Sequence, residues 1–182
     1  MKTYTAMLVL AAGLLLFPMP AGRSDPMPVT LRPAPALAPG VWVNGAPTTI
    51  AAQRGKVTVL LFWTRGCINC KHNLGYWNDW ARQYRHSDVT VLSVHTPETE
   101  AERSVDSVRR FAREWGLLFP VVTDNAQRTW DAYGVEYWPS EVLIDKRGQI
   151  RYLFGGELNW QGSGEYKTVG ALIENLRKES AA

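Results

Sequence analysis

Val57-Thr58-Val59-Leu60-Leu61-Phe62-Trp63, then Thr64-Arg65-Gly66, then Cys67-Ile68-Asn69-Cys70, is the stretch on which the fold turns. Its first seven residues are all β-branched, aliphatic or aromatic, which suits a central strand covered on both faces. Beyond it, Leu74, Trp77, Ala81 and Tyr84 recur at i, i+3, i+7 and i+10 with Trp80 alongside, as in an amphipathic helix starting at Ile68 or Asn69. The C-x-x-C pair therefore sits where a strand hands the chain to a helix. A helix N-terminus offers unsatisfied N–H groups and partial positive charge, which stabilise a thiolate. The thiolate is the form of cysteine that attacks disulfides.

These are the only two cysteines among 182 residues, too few for a disulfide scaffold and too few to fill a four-ligand zinc site. Lys71, not histidine, follows Cys70, so the motif for c-type haem attachment is absent. The net charge of +3 is carried by scattered Lys and Arg, and nothing in it points to nucleic acid. Residues 1–22 read as a signal peptide or membrane anchor: Lys2, a short apolar segment from Ala6 to Phe17, then Pro18-Met19-Pro20-Ala21-Gly22. No cysteine follows that could carry lipid. Either form would place the remainder outside the cytoplasm, where disulfides persist. Residues 23–40, with Pro26, Pro28, Pro33, Pro35 and Pro39, read as a semi-rigid extended linker, and residues 41–182 as the folded domain.

Within that domain Val41–Val43 and Thr48–Ile50 flank Asn44-Gly45, the pattern of a tight β-hairpin. After the first helix come a strand at Val89–Val94, a capping box at Thr99-x-x-Glu102 and a helix with Val105, Val108, Phe111, Ala112 and Trp115 on one face. A strand at Pro120–Thr123 leads to a short helix capped by Asp124. Two strands, Val142–Ile144 and Ile150–Phe154, turn at Asp145–Gly148, and Thr168 is the expected cap of a last helix. The order of elements defines an α/β protein with a central mixed sheet and helices on both faces.

In this setting the chain resembles the thioredoxin-like superfamily. The likeness is strongest to its exported TlpA/ResA-like branch, and within that to the thioredoxin-like domain of DipZ-type proteins. It is carried by Phe62-Trp63-Thr64, Cys67–Cys70, Val94-His95-Thr96-Pro97-Glu98, Tyr133-Gly134, Tyr137-Trp138-Pro139, Leu143-Ile144-Asp145 and Gly164-Glu165-Tyr166, in order across residues 41–180. The resemblance implies a thioredoxin-like fold with an extra insert around Thr96–Arg110. It makes Cys67 the attacking and Cys70 the resolving cysteine of a redox-active disulfide that needs no other cofactor. Pro139 becomes a cis-proline against that disulfide, and Ile68, Asn69, Trp138 and Pro139 the surface that meets substrate. The implied partners are a protein disulfide and a membrane thiol-electron donor of DipZ/DsbD type, in the periplasm or on the extracytoplasmic face of the membrane.

The sequence departs from the family at the buried acid that relays a proton to the resolving cysteine. The position six residues before the first cysteine is Leu61, and the alternative three residues after the second is Asn73. Glu141, His72 and His95 are the candidates to replace it. Glu141 follows Pro139 by two, either facing inward with a raised pKa or lying on a solvated edge. His72 reads as a surface or a catalytic residue, and His95 as packing or function. Two other readings stay open. Thr64-x-x-Cys67 matches the Thr-x-x-Cys element of peroxidases acting through a thiolate, although Leu60 stands where that motif has proline. A domain that keeps the fold only to bind a partner is the other. Trp77, Trp80, Trp115 and Trp130 have core spacing, whereas Trp42 and Trp160 fit either packing or a groove.

Overall fold

The computed structural model describes residues 27–181. The apolar segment 1–22 lies outside the described residues, among which no helix is long and apolar enough to cross a membrane. Six strands form one mixed sheet: β1 (Met27–Pro33), β2 (Val57–Trp63), β3 (Val89–His95), β4 (Val121–Thr123), β5 (Ser140–Ile144) and β6 (Gln149–Gly155), in the spatial order β1-β6-β5-β2-β3-β4. β2, β3 and β4 run parallel, while β5 and β6 run antiparallel to their neighbours. The helices are α1 (Ile68–Gln83), α2 (Val105–Glu114), α3 (Arg128–Tyr133) and α4 (Glu165–Lys178).

The apolar run of β2 is central, buried along its whole length. Its period of two divides the core. Val57, Val59, Leu61 and Trp63 pack with Leu74, Trp77 and Trp80 of α1, Val108 and Phe111 of α2, and Ile173 and Leu176 of α4. Leu60 and Phe62 pack on the other face with Trp130 and Tyr133 of α3. Trp115 lies outside this core pattern. It is 46% exposed and stacks its ring on Phe111, with Lys71 over its face.

Three expectations fail, each for a visible reason. The hairpin at residues 41–50 does not form, because the outer edge of β4 offers a better partner. Val43 N–H donates to the Val121 carbonyl (2.9 Å), Val121 N–H to Asn44 (3.2 Å) and Thr123 N–H to Val41 (3.0 Å). The Asn44 side chain donates to the carbonyls of Leu117 and Phe119, both at 2.8 Å. Gly40 permits this approach, since a Cβ there would lie 1.9 Å from the Thr123 carbonyl oxygen. The proline-rich stretch is not a free linker from Met27 onward: β1 pairs antiparallel with β6, its register broken between Pro28 and Arg32. Proline is tolerated there because an edge strand leaves one row of N–H groups unused. Thr168 does not cap α4, which begins three residues earlier behind Gly164 in a left-handed conformation. The box at Thr99 closes a separate turn, Glu100–Glu102, and Ser104 caps α2 instead.

The N-terminal stretch is bound to the domain by side chains as well. Arg32 donates to the carbonyls of Ala132 (3.1 Å) and Tyr133 (2.7 Å) at the end of α3, and the Tyr133 hydroxyl donates to Pro35 (2.7 Å). A chain truncated to start at Leu37 should therefore unfold at a clearly lower denaturant concentration than the full chain. A free linker would leave the midpoint unchanged, and urea titration followed by tryptophan fluorescence distinguishes the two.

Candidate active site

Cys67 occupies the N-cap of α1 in extended conformation, and its sulfur accepts the Cys70 N–H at 3.2 Å. The first turn of the helix carries Cys70 inward, where it is 1% exposed, while Cys67 remains half-buried. This difference in depth separates the two thiols chemically. Hydrogen bonding from the Cys70 side chain, with backbone N–H groups of Cys70 and Asn69, outweighs burial and lowers the Cys67 pKa to about 7. Burial, reinforced by the hydrogen bond to Cys67 and the nearby Glu141, pushes the Cys70 thiol far up. One thiol is poised to ionise and the other keeps its proton.

The Trp138–Pro139 peptide is cis, and the Cys67 thiol lies 3.8 Å from the Trp138 carbonyl oxygen. The Trp138 ring stacks on Trp130, with centroids 4.1 Å apart, and donates from Nε1 to the Thr96 carbonyl (3.0 Å). Beside it, Ile68 is 60% exposed and Tyr137 64% exposed.

Of the three candidate proton carriers, Glu141 is the one whose charge contributes to raising the Cys70 thiol pKa. Leu61 and Glu141 are direct partners across the antiparallel β2–β5 ladder, so the acid stands on the neighbouring strand opposite the position where the family carries it. Glu141 is 1% exposed, so the solvated-edge alternative fails. Its Oε1 accepts from Asn73 Nδ2 (3.1 Å) and Trp77 Nε1 (2.8 Å). Burial raises its pKa to about 8 against the pull of those two donors. Asn73 also donates to the Gly156 carbonyl (3.0 Å) and accepts the Leu158 N–H (2.9 Å), tying α1 to the loop after β6.

His72 is exposed and faces Glu157 at 3.1 Å. His95 is fully buried beneath the turn that precedes Cys67, where its Nε2 accepts the Arg65 N–H at 3.3 Å. Burial lowers its pKa to about 4, so it is neutral and fixed in the turn. Thr64 is fully buried with its hydroxyl 3.4 Å from His95 Nε2, away from solvent. Among the described residues no group of three or more His, Cys, Asp or Glu could hold a metal ion. The sequence reading missed Asn73 as a partner of the acid and treated Trp77 as core alone. The available signal was spacing: Asn73 and Trp77 are i and i+4 on one helix face.

A strand-to-helix turn carrying one half-buried thiol of lowered pKa and one deeply buried thiol, with a cis-proline beside them, marks the thioredoxin-like class. The chain belongs to the AhpC/TSA family, whose model matches residues 33–153. It is 33% identical over 142 residues to the protein DipZ of Mycobacterium bovis, covering 76% of this chain and 20% of that one, so it spans about a fifth of that relative's length. The thiol-disulfide oxidoreductase ResA of Bacillus anthracis is 30% identical over 128 residues, 70% of this chain and 71% of that one. A thiol-disulfide isomerase from Corynebacterium glutamicum superposes with a TM-score of 0.69 and 29% identity, covering 81% of this chain and 98% of that structure.

The buried acid has a measurable consequence for stability. The folded state keeps the Glu141 proton up to about pH 8, whereas an unperturbed glutamate loses it near 4.5. The folded state thus binds more protons across that window, and stability falls as pH rises through it. His95 acts in the opposite sense, with stability lost as pH falls from 6.5 through about 4. Glu141→Gln should remove the first effect, leaving the variant more stable than its parent by a few kcal/mol at the alkaline end. Urea midpoints measured for both proteins across the window check this.

Proposed function

We propose that the protein is an exported thiol:disulfide oxidoreductase that reduces disulfides in protein substrates through Cys67 and Cys70. The observation that carries this reading is the asymmetry of the two thiols: one half-buried with a lowered pKa, the other buried with a raised one. A Cys67 pKa near 7 is that of a reducing thioredoxin-type thiol, whereas strong oxidants stabilise a far more acidic thiolate, with a pKa of roughly 3.5. Export is supported by Lys2 and the apolar run Ala6–Phe17, together with the likeness to DipZ and ResA.

In the reducing direction the Cys67 thiolate attacks one sulfur of the substrate disulfide. A Cys67–substrate disulfide forms and the other substrate sulfur leaves as a thiolate. Cys70 then loses its proton and attacks the Cys67 sulfur. The bond to substrate breaks, the second substrate sulfur leaves as a thiolate, and Cys67–Cys70 becomes the disulfide. The substrate gains two electrons and the cysteine pair loses two. A membrane thiol carrier of DipZ/DsbD type returns them.

The second step needs a base for the deeply buried Cys70 proton, and Glu141 is that group. With a pKa of about 8, its ionised fraction near neutrality takes the Cys70 proton and passes it on. The exposed Ile68, the neighbouring Asn69 and the backbone at Trp138 and Pro139 form the surface where substrate meets Cys67.

Cys70→Ser should accumulate a mixed disulfide with substrate on non-reducing gels, and Cys67→Ser should form none. Thiol turnover that survives Cys67→Ser would rule the proposal out. Glu141→Gln should leave the first attack at its parental rate while slowing resolution at least about a hundredfold, the lower end for loss of a general base. Stopped-flow tryptophan fluorescence separates the two steps.

A further inference from the structure

The insert between β3 and α2 is fastened to the active site at one unusual point. Glu102, 4% exposed, sends its carboxylate back under the turn that delivers Cys67. Oε1 accepts the Gly66 N–H at 2.7 Å, and Oε2 accepts the N–H groups of Glu98 (2.8 Å) and Thr99 (3.0 Å). Three backbone donors, one of them 36 residues from Glu102 in the chain, thus converge on one carboxylate. Burial works against its charge, but the N–H groups of Thr99, Glu98 and Gly66 with the Thr64 hydroxyl prevail and hold its pKa below the usual carboxylate range. Gly66 is fitted to this contact: a Cβ there would lie 2.2 Å from Glu102 Oε1. The same turn is held from below, Arg65 N–H donating to His95, and from the side, the Arg65 guanidinium donating to the Ala101 carbonyl.

We propose that Glu102 is a positioning residue for Cys67, and that through it the insert sets the reactivity of the cysteine. The claim rests on the reading of Cys67 as the attacking thiol. Its physical basis is the position of Gly66, immediately before the N-cap. The Cys67 sulfur is stabilised as a thiolate by N–H groups of the first turn of α1, and that contact requires the N-cap residue to enter the helix in one fixed conformation. Anchoring Gly66 N–H fixes that entry. Releasing it loosens the sulfur from the Cys70 N–H, and the thiol becomes less acidic. The charged groups around the turn are Arg65, Glu98 and Glu102, with His95 neutral beneath it.

The test is the pH dependence of iodoacetamide alkylation of the reduced full chain, with modification mapped to Cys67 by mass spectrometry. The parent should show a midpoint near pH 7. Glu102→Ala should raise the midpoint toward that of an ordinary thiol and slow alkylation at neutral pH about fivefold, as a one-unit loss of acidity requires. Glu102→Gln offers one oxygen and one amide group to three donors, so at least one loses its acceptor and the midpoint moves the same way. Gly66→Ala displaces the carboxylate from the other side and should reproduce the effect, deciding the matter if the alanine variant at 102 does not fold. Folded variants with lowered melting temperatures but the parental midpoint would overturn the proposal, because Glu102 would then serve stability alone. Alkylation is read without turnover, so the role of Glu102 is decided even in a chain that reduces no disulfide.

Discussion

A buried carboxylate shared between a strand and a helix ties the candidate site together. Glu141 on β5 accepts hydrogen bonds from Asn73 and Trp77 on α1, at 3.1 and 2.8 Å, and has no exposure to water to offset the cost of charge. An isolated carboxylate in such a place would stay protonated, whereas one with two donors sits close to balance. The same contacts lock the register of α1 over the sheet and therefore the depth of Cys70, one turn before Asn73. Asn73 extends the tie to Gly156 and Leu158, so helix, strand and following loop are set together.

The depth of the two sulfurs follows from this frame. α1 starts shortly after the end of β2, and within its first turn the chain passes from half-buried Cys67 at the N-cap to fully buried Cys70. The same helix thus gives Cys67 an N-terminal environment that favours a thiolate and gives Cys70 one that forbids it. Around this centre the insert grips both neighbouring pieces. The Thr96 carbonyl receives the Trp138 indole, and Glu102 receives the Gly66 N–H. The loop bearing Pro139 and the turn bearing Cys67 are therefore referenced to a common support.

Much of this was legible in the sequence because the signals were local. The unbroken β-branched and apolar composition of β2 and the 3.6-residue spacing of α1 each identify an element from local sequence, and both stand where expected. Where the reading failed, the deciding partner was distant. Asn44-Gly45 has the chemistry of a hairpin turn, but no local pattern reveals that the edge of β4 is free to take the segment. Prolines 28 and 33 argue against an inner strand and say nothing against an edge one. The missing acid shows the same limit. Leu61 and Asn73 mark two empty positions along the chain, and only the β2–β5 register reveals that Glu141 stands opposite the first and touches the second. Glu102 looked like a helix cap because its sequence spacing to Thr99 is that of one, while its most consequential contact lies at Gly66.

The claim on which the account stands is that Glu141 is the acid coupled to the cysteine pair. Its carboxyl carbon can be followed by 13C NMR as pH is raised, first in the dithiol and then in the disulfide state. The account predicts a midpoint near 8 in the reduced protein and a clear displacement on oxidation, when the Cys70 thiol disappears. A midpoint near the ordinary 4.5, or one identical in the two redox states, would contradict it.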